Sequence, residues 1–222
     1  MKWQLDPEEQ RRLAEERPLR GEDEDEDEEE EDEEGRGEED EKLQEKLLKT
    51  RTILISEPVS DDLARKVYQQ LLILEAESHE KPITVIINSP GGEADSGFGI
   101  YDMLRFIEVP IRTLVAGLCA SAAVMIFLGG DKGQRFSLPN SRFLLHQPSS
   151  QSVGQASDLQ IASEEILRLR KRYNSIVADV TGKTVEKVDE HADRDFWMTS
   201  DQAVDYKLVD SIIAKRSEMG DD

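Results

Sequence analysis

Cysteine is nearly missing: Cys119 stands alone among 222 residues. A single thiol cannot close an intrachain disulfide, so a reducing, cytoplasmic setting is expected and packing must hold the fold. Histidine is also scarce. Three copies, His79, His146 and His191, are the whole supply of imidazole bases. No apolar run is long enough to span a bilayer, and the first twenty residues lack a signal-peptide core, so neither membrane insertion nor export is expected. Outside the acidic N-terminal run, no pair of His, Cys or acidic residues shows metal-ligand spacing, so no metal is expected.

Positive charge is scarce too, and unevenly so. The formal net charge is -21, of which residues 22–41 supply -16 through seventeen acids and one arginine. Glu22–Glu34 is acidic without a break. Like charges repel and nothing apolar is there to bury, so residues 1–41 read as a disordered acidic extension. It serves as a solvating tail or as an arm for a basic partner surface. Such a balance argues against nucleic acid or an anionic membrane as partner. Residues 42–216 read as one folded domain and 217–222 as a short polar tail.

Within the domain, strands and helices alternate, which predicts an α/β fold. "TILIS" (52–56), "ITVIIN" (83–88), "IRTLVAG" (111–117), "RFLLHQP" (142–148) and "LVDSII" (208–213) read as strands. Leu63, Val67, Leu71 and Leu74 mark one helical face, and Ala94, Phe98, Tyr101 and Leu104 another. A long helix is expected from Ser157, as N-cap, to Gly182, as stop. Its apolar residues Leu159, Ile161, Ile166, Leu169, Tyr173 and Ile176 exceed one narrow stripe, which suits burial against a second chain as well. Shorter helices are expected at 184–191 and 200–206.

Ser121, in "GLCASAAVMIFLGG", stands where a strand turns into a buried helix. A serine hydroxyl becomes a nucleophile only with a base and with donors for the oxyanion it forms. Small neighbours Ala120, Ala122 and Ala123 let a substrate backbone approach, and the "SPGG" turn with Gly91 and Gly92 can aim N–H groups at the same place. Locally, a structural N-cap explains the serine as well. His146, at the end of an apolar strand where clefts open in α/β sheets, reads either as a satisfied core histidine or, taken with Ser121, as the base of a nucleophile–base pair. His79 reads as a surface residue and His191 as a helix-end residue. Asp189, Asp193 and Asp195 are open choices for the orienting acid, since spacing does not separate them. Cys119 lies before the helix start and is a poor alternative nucleophile.

Together "INSPGG", "GLCASAA", "LLHQP" and "DRDFWMTSDQAVDY" resemble the ClpP family, the proteolytic subunits of Clp proteases. The likeness runs in order from about Arg51 to Ile213. It implies the ClpP/crotonase-like fold of repeated β-β-α superhelical turns, with a protruding handle strand and helix at about 147–180. It implies Ser121 as nucleophile, His146 as general base, Asp195 as the orienting acid, and Gly92 with Ala122 as the oxyanion hole. Peptide bonds of unfolded chains would be cut through an acyl-enzyme without a cofactor. Heptameric rings would stack as a tetradecamer, and ATP would be used only by a partner AAA+ Clp unfoldase.

Four features depart from the family pattern. The acidic extension and "KLQEKLLKTR" replace the usual N-terminal segment. Ile86 stands where the unfoldase-docking groove has tyrosine, leaving open whether a standard Clp ATPase docks. The handle keeps only Gly154 of a glycine-rich turn. Lys207 stands where a left-handed cap favours glycine. A non-catalytic or regulatory ring subunit is the alternative reading, and an acyl-CoA-binding crotonase relative ranks last.

Overall fold

The computed structural model describes residues 42–149 and 153–220, so the acidic extension before Lys42 lies outside the described residues. The chain divides into two units, Met1–Lys46 and Leu47–Asp222. Residues 42–46 of the first are helical. The second unit holds every element below.

Three strands open a parallel sheet: β1 (Thr52–Ile55), β2 (Ile83–Ser89) and β3 (Ile111–Ala120). Their β-branched side chains suit a pleated surface covered on a face, and Ile53, Ile55, Ile83, Val85, Ile87 and Val115 are buried. Helices α1 (Asp61–Glu77) and α2 (Ala94–Phe106) make the crossovers. Helix α1 buries Leu63, Val67, Leu71 and Leu74, as their spacing predicts, and the Ser60 hydroxyl caps it by accepting from the Leu63 amide. Helix α2 buries Phe98, Ile100 and Leu104.

Strand β3 is the branch point. Its first half pairs with β4 (Arg135–Ser137) and its second half with β5 (Arg142–Leu145), both parallel. The Ser141 side chain fills the break, donating to Val115 O at 2.9 Å and accepting from the Gly117 amide at 3.2 Å. Beyond β3 the chain enters α3 (Ala122–Leu128), all seven of whose residues are buried. Strand β6 (Phe196–Thr199) pairs antiparallel with β5, and β7 (Ser211–Ile212) closes the other edge beside β4. The two remaining short helices are α5 (Val185–His191) and α6 (Ser200–Asp205). The sheet is therefore mixed, and two of its strands, β4 and β6, were not expected from the sequence.

The long helix, α4, spans Ala156–Thr181, with Gln155 as its N-cap, so Ser157 lies inside the first turn rather than capping it. Gly182 ends it in the left-handed conformation, as expected. Only its second half packs deeply, through Tyr173, Asn174, Val177 and Ala178. Leu159, Ile161 and Leu167 are 39%, 66% and 57% exposed, so the surplus apolar surface anticipated on this helix is real. The described residues between His146 and α4 contain no strand; 150–152 lie outside the described residues. Downstream, the expected strand at 208–213 contracts to β7. The amides of Leu208 and Val209 both donate to Ala203 O, so these buried residues finish the turn after α6 instead. Residues Arg216–Met219 form a single 3-10 turn that places Met219 against Leu114, Phe136 and Ile213.

Candidate active site

Ser121 is the hinge between β3 and α3, with φ 55° and ψ -125°. A non-glycine residue held at positive φ costs on the order of 1–3 kcal/mol and persists where its surroundings enforce it. Those surroundings are identifiable. The Ser121 amide donates to Leu144 O on β5 at 3.0 Å, and its carbonyl accepts from Val124 N at 3.0 Å. The Tyr173 hydroxyl, arriving from α4, lies 3.5 Å from the same carbonyl. The Ser121 side chain makes no capping hydrogen bond to the helix it precedes. The capping explanation for this serine therefore fails, and its hydroxyl is left for other work.

Gly91 permits the bend. A Cβ there would sit 2.5 Å from Ala120 O and 2.6 Å from Ser121 Cβ, and its own φ is +86°. Val59 donates to Gly91 O and accepts from the Glu93 amide. Alternation along this short extended segment turns the N–H of Gly92 away from Val59. Ala122 is the first residue of α3, so its N–H has no partner within the helix. Gly92 and Ala122 line the same cavity as Ser121.

A cavity of about 240 Å³ gathers these parts. Gly92, Ser121, Ala122 and His146 share its wall with apolar Phe98, Met125, Ile166, Leu169 and the ring of Tyr173. His146 lies just past the end of β5, two residues beyond the Leu144 carbonyl that holds Ser121, so one strand positions both. Its Nε2 is buried and has no hydrogen-bond partner. Its Nδ1 lies 3.8 Å from Asp195 Oδ1, an ion-pair distance but too long for a hydrogen bond.

The three acids left open by spacing separate here. Asp189 is committed to Arg170, with contacts of 2.6 and 2.8 Å, and to Asn174 at 2.7 Å. Asp193 faces Gln147 and Arg170, at 3.5 and 3.7 Å. Asp195 faces His146. A second, open cavity runs along His146, Gln147, Asp193, Arg194 and Asp195. Gln147 ties this side together: its amide donates to Asp193 O at 2.7 Å while Arg170 donates to its Oε1 at 2.8 Å.

The other candidates fall elsewhere. His79 is exposed. His191 stacks on Phe196 and shares a 3.1 Å hydrogen bond with Tyr206. Cys119 is fully buried, and burial pushes its thiol well above the usual range, so it is no nucleophile. Among the described residues no group of three or more metal-ligating side chains is assembled. No helix among them is long and apolar enough to cross a membrane. Of the cavity wall, sequence reading placed only Gly92, Ser121, Ala122 and His146 at the site; two of the polar residues it missed are Tyr173 and Glu93. Tyr173 looked like one more apolar position on a helix, and Glu93 like an ordinary residue after a turn. The position of Glu93 directly behind "SPGG" was the available signal.

Comparison with known proteins identifies the family. The Clp protease family model matches residues 35–216. An ATP-dependent Clp protease proteolytic subunit from Ligilactobacillus salivarius is 43% identical over 174 residues, covering 78% of this chain and 88% of that protein. Among solved structures, an asparagine-to-aspartate mutant of ClpP1 from Listeria monocytogenes superposes with a TM-score of 0.74 at 40% identity, covering 80% of this chain and 99% of that one. The chain therefore belongs to the Clp protease family and is a serine peptidase of the ClpP type.

Proposed function

We propose that this chain hydrolyses peptide bonds of unfolded proteins through an acyl-enzyme formed on Ser121. The observation that carries the assignment is the enforced bend at Ser121, which presents an uncapped hydroxyl to the cavity it shares with His146. His146 Nε2 takes the hydroxyl proton as Oγ attacks the scissile carbonyl carbon. The amides of Gly92 and Ala122 receive the negative charge on the carbonyl oxygen. The same imidazole then gives the proton to the departing amine as the C–N bond breaks. Water, deprotonated in turn by His146, attacks the ester and releases the new carboxylate and Ser121. Asp195 holds the imidazole and offsets its charge while it carries the extra proton. The reaction needs no cofactor from this chain. The apolar wall of Phe98, Met125, Ile166 and Leu169 suits an apolar substrate side chain beside the cleaved bond.

The exposed Leu159, Ile161 and Leu167 on α4, with Leu72, Ile73 and Phe106 on α1 and α2, support assembly with further copies of the chain. The reading is of heptameric rings stacked as a tetradecamer, working in the cytoplasm with an AAA+ Clp ATPase that supplies unfolded chains and uses the ATP. Turnover of a fluorogenic peptide ending in an apolar residue tests the chemistry, and mass photometry of the same sample tests the assembly. Wild-type protein should cleave the peptide as a ring, and Ser121→Ala should form the same ring with turnover lowered at least about a thousandfold. Unchanged cleavage by Ser121→Ala would remove the serine from the mechanism.

A further inference from the structure

The cavity wall contains one carboxylate that the chemistry above does not use. Glu93 follows Gly92 directly and lines the same cavity as Ser121 and His146. It is exposed, as a pairing group for a substrate must be, and α2 begins immediately after it. Its backbone is fixed by the hydrogen bond from its amide to Val59 O. Its side chain is poorly supplied with donors. The Ser96 hydroxyl lies 3.1 Å from Glu93 Oε2 and 2.7 Å from Asp61 Oδ1. One hydroxyl carries one proton, and the shorter contact claims it. Among the described residues no Lys, Arg or His nitrogen makes an ion pair with Glu93.

An ionised carboxylate with its acceptor capacity unfilled, fixed on the rim of a substrate cleft, attracts cations and repels anions. We propose that Glu93 is a specificity-determining residue, selecting peptides that carry Lys or Arg within one or two residues of the cleaved bond over peptides carrying Asp or Glu there. This rests on the peptidase reading of the cleft and adds a charge preference to the apolar one. The apolar wall receives the side chain at the bond, and Glu93 reads the charge of its neighbour. The acidity of the whole chain also favours basic peptides, but that field is long-range and survives a neutral substitution at one position. The local part does not.

The test compares three fluorogenic peptides that differ at one residue beside an apolar cleavage position, which is Lys, Gln or Glu. The readout is the Lys-to-Glu ratio of kcat/KM within each enzyme, so a general loss of rate in a variant cancels. Wild-type protein at low ionic strength should prefer Lys over Glu by about threefold or more, the size expected of one solvent-exposed pair. The ratio should fall in Glu93→Gln, invert in Glu93→Lys, and shrink toward one at about 1 M salt, where screening acts within about 3 Å. Equal ratios in wild type and Glu93→Gln, with the Gln peptide still cleaved, overturn the role of Glu93 and leave the peptidase reading standing. Failure of an assembled wild-type sample to cleave any of the three overturns both.

Discussion

The two sides of the cleft are built differently. On the nucleophile side, Cys119, Ala120 and Ala122 are 0%, 3% and 5% exposed, α3 is wholly buried, and the bend at Ser121 is held by backbone hydrogen bonds from β5 and α3. On the other side, the side chains of His146, Asp195 and Arg194 are 30%, 66% and 94% exposed. The link from His146 to Asp195 is 3.8 Å long and His146 Nε2 is unpaired. A close-packed core fixes a position, whereas two loop segments joined through Gln147 and Arg170 leave one adjustable. The hydroxyl is set by folding. The base and acid must move together by about 1 Å to reach hydrogen-bond range.

Three substitutions set the sides against each other. The largest effect belongs to the adjustable side. Asp195→Asn should lower kcat by about a hundred- to ten-thousand-fold, because an amide neither fixes the imidazole tautomer nor offsets its charge. Its thermal midpoint should stay within a few degrees of wild type, since Asp195 is exposed and, among the described residues, its carboxylate pairs with His146 alone. A large fall in the midpoint would make Asp195 structural. Next comes the rigid side. Gly91→Ala forces a Cβ against Ala120 O and Ser121 Cβ in a left-handed backbone, and should cost about 2 kcal/mol or more in urea unfolding. Full stability in that variant would mean that the bend is not enforced by packing.

The smallest effect concerns His191, packed against Phe196 next to Asp195. Burial, with the Lys187 charge beside it, lowers its pKa below the ordinary 6.5. The unfolded chain therefore binds the proton more readily. This group contributes a loss of stability as pH falls through 6.5 toward the folded-state value, and none well above it. Thermal midpoints between pH 5 and pH 7.5 should rise less steeply in His191→Gln than in wild type. An identical slope removes this linkage.

How much the sequence disclosed depended on periodicity and on backbone demands. Leu63, Val67, Leu71 and Leu74 revealed α1 because every one of them is buried. Lys207, singled out where glycine is favoured, does take a φ of 66°. Strands β4 and β6 escaped notice because "RFS" and "FWMT" lack the longer apolar or β-branched runs that marked the other strands. Leu208 and Val209 misled because burial was mistaken for strand. In the site, Ser121 and His146 were suggested by their places at element ends. Choosing among Asp189, Asp193 and Asp195 required family likeness, since what distinguishes them in space is Arg170, Asn174 and Gln147, contributed by segments distant along the chain. Glu93 and Tyr173 were invisible as wall residues because a cavity has no linear signature.

Mass-spectrometric mapping of a fluorophosphonate adduct on the assembled protein bears most directly on the central claim. The adduct should lie on Ser121, form faster in wild type than in His146→Ala, and vanish in Ser121→Ala. An adduct on another residue, or none on a ring that still cleaves peptide, would contradict it.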